Sequence, residues 1–432
     1  MTDVVGVGAA PRRADAPSRP EMLRAVERTV DGLPVRGALP EGLEGRFLLI
    51  GPEPRRGPDG VDVPAGHGAA MVHEVRIGGG RADYRSRWIS SDGPDAPSAG
   101  LVTHAGRLLA LGAHGRPVVL DGSLVPMGDD AVGATGGSGA HARVDPVWDE
   151  LLLVDAVPGE PRLAVTTIDV RGRVRRVAEV ATDGPLLVHD FAITDRFVVL
   201  IATGAVEDGA RVLWDPTVPA RIGLVDRSAE VPEASWFEVA PRAVWHFVNA
   251  FERDGEVVID HVAHRQPVVG VGGPGPLPGS TSPALVRTVV DPATGGIRDE
   301  VLDDRAVEHP AIDPARTGRR HRIVYAALAD SRAVDPAGAF VGLVRHDLRD
   351  ASSAEFRPAD GARLGAPVFA RRAGSTGEDD GWVLATAADP ISGSSRLLVL
   401  GPRAFAAAPI AEIVLPAPVS AGLEAHWAPP AP

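Results

Sequence analysis

Short apolar runs bounded by turn residues recur along the whole chain. They occupy 107–111, 151–154, 163–168, 197–201, 257–259, 323–327, 382–385 and 397–400. Each is rich in Val, Ile and Leu, and most end at Gly, Asp or Pro, as strands bounded by turns do. Asp169-Val170-Arg171-Gly172 and Arg253-Asp254-Gly255 read as hairpin connections between such strands. With 50 Gly and 40 Pro in 432 residues, few stretches long enough for a helix lack a breaker. The pattern therefore predicts an all-β chain. Its spacing suits four-stranded blades set radially, a β-propeller, with an array of β-sandwiches as the alternative. No internal repeat is sharp enough to count the blades.

A chain of this length accommodates one large β domain or two to three ordinary ones. The Pro-rich stretches at 10–20 and 267–283 read as a flexible lead-in and a long loop rather than as linkers. The expectation is thus a lead-in over 1–20 and a single domain over 21–432. The glycines within 268–276 lack the strand–helix context of a phosphate-binding loop.

Composition narrows the chemistry. The net charge is −13 with no basic patch, which argues against nucleic acid as a partner. Cysteine is absent, so disulfides, thiolate metal sites and a cysteine nucleophile are excluded. No serine sits in a G-x-S-x-G elbow. Residues 1–20 lack the apolar core of a secretory signal, and no window approaches about 18 uninterrupted apolar residues. A cytoplasmic protein without a transmembrane segment is expected. Lysine is missing altogether beside abundant Ala, Gly and Val, a composition typical of high-GC bacterial sequences.

Three histidines then stand out by context. They lie in Ala140-His141-Ala142-Arg143-Val144-Asp145-Pro146, in Val188-His189-Asp190-Phe191, and in His246-Phe247-Val248-Asn249-Ala250-Phe251-Glu252, 48 and 57 residues apart. Neutral imidazoles suit a divalent first-row metal, and single histidines on separate elements suggest a site that the fold assembles. In a propeller each step is roughly one blade, so one inner strand per blade would deliver one His to the axis. Asp190 and Glu252 are read as ordering local turns. His104, His114, His261, His264, His309, His321 and His346 are expected at the surface or in a second layer, with alanine tolerated at His321 and His346.

Several further segments carry a resemblance. Leu43-Glu44-Gly45-Arg46-Phe47 with Gly51-Pro52-Glu53-Pro54 is similar to an opening "LxGxYLRNGPNP". Met71-Val72-His73, Arg81-Ala82-Asp83-Tyr84-Arg85-Ser86-Arg87, Arg221-Ile222-Gly223 and Trp236-Phe237-Glu238 follow in order. Glu308-His309-Pro310-Ala311-Ile312-Asp313 looks like "E(F/L)PxID". From Gly42 to Trp427 the chain resembles the carotenoid cleavage oxygenases, also called retinal pigment/carotenoid oxygenases. His67 falls where that family carries "DGDGM".

The resemblance implies a seven-bladed β-propeller with long loops capping the metal-bearing face. It implies a non-haem Fe(II) (Fe2+) centre of four histidines, three of them braced by glutamates. His141, His189 and His246 match the first three ligands. The fourth lies in "GFHGxW", which here reads Gly422-Leu423-Glu424-Ala425-His426-Trp427. Glu424 takes that position, with His426 as the alternative, since an extended strand points both to one side. Glu308 matches one bracing glutamate. The other two segments read Gly112-Ala113-His114-Gly115 and Ala366-Pro367-Val368-Phe369, with alanines in place of carboxylates.

The implied reaction is addition of O2 across a conjugated double bond of a hydrophobic polyene, a carotenoid or apocarotenoid. It passes through a dioxetane to two carbonyl products, and no side chain acts as acid or base. The alternative is a degenerate propeller that binds a hydrophobic ligand or partner without cleaving it. Family members that cleave phenolic stilbenes recognise the hydroxyl with Tyr and Lys. This chain has no Lys and only Tyr84 and Tyr325, which disfavours that substrate. Peripheral membrane contact through an apolar patch is a further expectation from the resemblance.

Overall fold

The computed structural model describes residues 25–53, 55–56, 62–63, 70–89, 99–112, 116–127, 139–156, 161–182, 188–203, 205–208, 211–214, 217–264, 283–330, 340–419 and 424–430. The expected lead-in, nearly all of the 267–283 loop, His67 and His114 lie outside them.

The described residues are almost entirely β, and seven sheets form the blades of a propeller. Their innermost strands are Gly100–His104, Ala142–Asp145, Phe191–Ile193, Ala243–Arg253, Val307–Ala311, Val368–Arg371 and Glu424–Ala428. Neighbouring inner strands pack against one another around the axis. The ring closes non-locally: Glu424–Ala428 pairs antiparallel with Gly45–Pro52, so the last strand completes a blade begun by the first ones. A ring is formed, not an array of sandwiches.

Each predicted apolar run lies inside a strand, mostly in the middle of a blade. Those strands are buried on both faces, which explains runs of consecutive apolar residues rather than alternation. Phe197–Ala202, for example, is buried at every position. Separate hydrophobic clusters fill the spaces between blades. Leu152, Val154 and Val165 meet Phe191, Val198 and Leu200, while Val199, Ile201 and Leu224 meet Phe247, Val257 and Ile259. The predicted turns form as expected. Asp254 and Gly255 take φ of 53° and 84°, and the Asp169 N–H donates to the Arg173 carbonyl at 2.8 Å. No helix among the described residues is long and apolar enough to cross a membrane.

Candidate metal centre

The three histidines come from consecutive blades, so the 48- and 57-residue steps are each one blade. His141 immediately precedes Ala142–Asp145, and His189 precedes Phe191–Ile193 by two residues. His246 lies within Ala243–Arg253, where pairing to Glu256–His264 slips between Val244 and Phe247 and again between Phe247 and Asn249. Such irregularities bend a strand and re-aim its side chains, here toward the axis. The ligand nitrogens of the three all lie within 4.8 Å of one another. Nε2 of His141 is 3.2 Å from Nε2 of His189.

A buried carboxylate binds these blades together. Asp190 accepts from both Phe191 N–H at 2.7 Å and Phe247 N–H at 2.8 Å, and from the Arg143 guanidinium at 2.7 and 2.6 Å. Its partners therefore come from the same three blades that carry the histidines. Glu252 accepts from Thr194 Oγ1 at 2.6 Å and Arg196 N–H at 2.9 Å. Asp190 thus orders the backbone next to it and ties it to the next blade, whereas Glu252 holds a turn of the neighbouring blade rather than one of its own.

His246 Nδ1 donates to Glu308 Oε2 at 2.5 Å, and the other Glu308 oxygen is bonded to His264 Nε2. That bond fixes the ring so that Nε2 faces inward, the arrangement typical of a metal-ligating imidazole. Nε2 of His246 is buried with no hydrogen-bond partner among the described residues. An unsatisfied buried group costs about 1–3 kcal/mol, a debt that a coordinated cation would cancel.

Burial, with the neighbouring His189 and His246, holds His141 well below the ordinary histidine range. Burial and His246 lower His189 to about 4. Both stay neutral near pH 7, with lone pairs available. Burial opposes charge on His246 too, but Glu308 outweighs it and the pKa rises to about 9. The positive charge favoured there is one that a divalent cation at Nε2 can supply instead. The donor set therefore fits a first-row divalent metal.

The fourth position is less conventional. Glu424 sits on the closing strand, and its Oε1 is 3.5 Å from His309 Nδ1. His246, His309 and Glu424 form a second group whose ligand atoms lie within 4.8 Å of one another. His426 belongs to neither group, although it lines the same cavity; its Nε2 is 3.0 Å from Thr103 Oγ1. Ala366 also lines this cavity, so no carboxylate reaches it from there. Ala113 lies outside the described residues.

His309 departs from expectation. Val307–Ala311 loses register with its partner between Glu308 and Ala311, and His309 adopts φ of 48°. The irregularity turns its ring to within 4.4 Å of the His246 ring. One signal could have found it: a histidine directly after the glutamate that braces His246. None of the other described histidines is exposed either. His321 sits 3.1 Å from Asp260 Oδ2 and His346 3.4 Å from Asp303 Oδ2, both in the interior. Alanine at either position would remove one buried partner of a carboxylate that keeps another, Arg287 on Asp260 and Arg305 on Asp303.

Beside the histidines lies a cavity of about 470 Å³. Its lining combines aliphatic side chains, among them Leu101, Val144, Val248 and Ile312, with Phe247 and with the polar Arg143, Asp190, Asn249 and Glu424 beside the histidines.

A family model described as retinal pigment epithelial membrane protein matches residues 23–429. The chain belongs to this family. Among members of the retinal pigment epithelial membrane protein family, the carotenoid cleavage oxygenase of Mycobacterium tuberculosis is 28% identical over 483 aligned positions. That alignment covers 94% of this chain and 95% of the relative. The apocarotenoid-15,15'-oxygenase of Synechocystis is 25% identical over 469 positions, covering 91% and 92%. A solved structure of a Synechocystis apocarotenoid oxygenase variant superposes with a TM-score of 0.84 at 23% identity, covering 95% of this chain and 98% of that one. This likeness bears out the seven-bladed fold that the motifs implied for the family.

Proposed function

We propose that this protein is a dioxygenase that cleaves a conjugated double bond of a carotenoid or apocarotenoid with O2. The carbon–carbon double bond is consumed and each carbon receives one oxygen atom, giving two carbonyl products. Membership in the family and the names of its relatives support oxidative cleavage. The observation that carries the metal dependence is the convergence of His141, His189 and His246 beside a cavity with aliphatic walls on part of its surface. Fe(II) is the metal we assign, since imidazole donors with open positions suit it. Activation of dioxygen is the chemistry that a bound Fe(II) supplies.

The chain's own residues do the rest. His141, His189 and His246 hold the ion, Glu308 orients His246, and the fourth position falls to the side of Glu424. The aliphatic part of the walls, Leu101, Val144, Val248 and Ile312 among it, holds the polyene through buried apolar area. No side chain needs to carry a proton. Tyr84 and Tyr325 are core residues, the first bonded to His73 Nδ1 at 2.7 Å and the second stacked on Phe369. Neither lines the cavity, so a phenolic stilbene would lack its recognition groups there.

The competing reading is a propeller that binds a hydrophobic ligand without cleaving it. It is favoured by Glu424 and Ala366, which stand where the motifs call for a histidine and a bracing glutamate. Turnover separates the two. Protein loaded anaerobically with Fe(II) should convert an apocarotenal under isotopically labelled dioxygen into two carbonyl products that both carry label. An apocarotenal that binds but stays intact would establish the competing reading instead.

A further inference from the structure

We propose that two residues have exchanged roles at this centre: His309 supplies the fourth imidazole to the metal, and Glu424 braces it from the closing strand. The inference rests on His141, His189 and His246 being metal ligands, and it replaces Glu424 as the ligand in the fourth position.

Three observations carry it. The first is wiring. His246 presents Nδ1 to Glu308 Oε2 at 2.5 Å, and His309 presents Nδ1 to Glu424 Oε1 at 3.5 Å. The two imidazole–carboxylate pairs are alike in sense, the second a longer ion-pair contact, and each leaves Nε2 for another partner; His309 joins the centre through its grouping with His246 and Glu424. A carboxylate on the far nitrogen is the usual support of a metal-bound imidazole.

The second is backbone. His309 holds φ of 48° within the stretch where its strand shifts register, between Glu308 and Ala311. A left-handed conformation at a non-glycine residue costs about 1 kcal/mol or more and persists where surrounding structure enforces it, often at functional sites. Here it carries the ring from the line of its strand to the side of His246, with Phe340 packed edge-on against it at 5.4 Å.

The third is charge. A histidine at position 424 would want a carboxylate behind it, and Ala366 provides none. A glutamate at 424 that serves as the brace needs no such support. A second carboxylate at 366, in the same cavity, would only repel it. The losses at 424 and 366 are thus one coherent change, matched by the gain at 309.

The test is Co(II) binding to the full chain, read by equilibrium dialysis and by the visible absorption of the bound ion. His309→Gly is the informative variant, because glycine accepts the positive φ without strain and the fold should survive. It is expected to bind Co(II) at least about tenfold more weakly with an altered band, and free imidazole should restore both. Glu424→Gln should weaken binding by about 10–100-fold while keeping the band, as loss of a brace does. Wild-type affinity and band in His309→Gly would overturn the exchange. So would an altered band in Glu424→Gln, which would make Glu424 the ligand. His189→Ala, measured alongside, isolates the premise: if it also binds as wild type, the three-histidine centre itself is wrong.

Discussion

At the residue scale, the interior holds several buried titratable groups, His261, His346 and Asp260 among them, and their protonation sets how the protein responds to acid. Burial lowers His261 and His346 to about 4, from the ordinary 6.5 of an unfolded chain. Below pH 6.5 the unfolded chain takes up protons that the folded one refuses. Their contribution is therefore intact above 6.5 and lost as pH falls toward 4, by on the order of 3 kcal/mol for each group. Asp260 acts lower. Burial opposes its charge, but Arg287 and His321 outweigh that and hold it at about 2, so its contribution is lost only below the ordinary 3.8. Urea midpoints measured from about pH 7 down to pH 4 should fall steeply before the carboxylates titrate. A flat profile down to pH 4 would contradict the burial of these histidines.

At the scale of elements, the strands divide into those that fill the blades and those that face the axis. The filling strands were legible, because burial on both faces demands continuous apolar runs and leaves its mark on composition. The axial strands were not. Phe191–Ile193 and Ala142–Asp145 have only three and four residues, too short for a periodic signal. The closing strand Glu424–Ala428 finds its partner at the other end of the chain, and no local pattern encodes that pairing. Closure depends on a close approach at Gly45, which has φ of 149°. A Cβ there would lie 2.5 Å from the Trp427 ring and 2.6 Å from the Ala428 carbonyl oxygen. Gly45→Ala should therefore lower stability by about 1–3 kcal/mol, seen as a lower denaturation midpoint. An unchanged midpoint would mean that this contact does not hold the ring shut. His309 was missed for a related reason: a strand irregularity aims it, and alternation along a strand cannot anticipate a bulge.

At the scale of the whole molecule, the ring turns sequence distance into convergence. A histidine repeated about once per blade arrives at one axis, which is why His141, His189 and His246 are legible as a set in the sequence. Glu308 was legible in the same way, through its motif. What the motifs could not convey was compensation, because Glu424 and Ala366 read as losses until His309 is seen beside them. The proposed chemistry requires the three-histidine centre. Its most direct test is the iron content of protein reconstituted anaerobically with Fe(II), compared between wild type and His189→Ala. The centre predicts about one iron per chain in the wild type and none retained by the variant. Equal iron in both, or none held by the wild type, would contradict it.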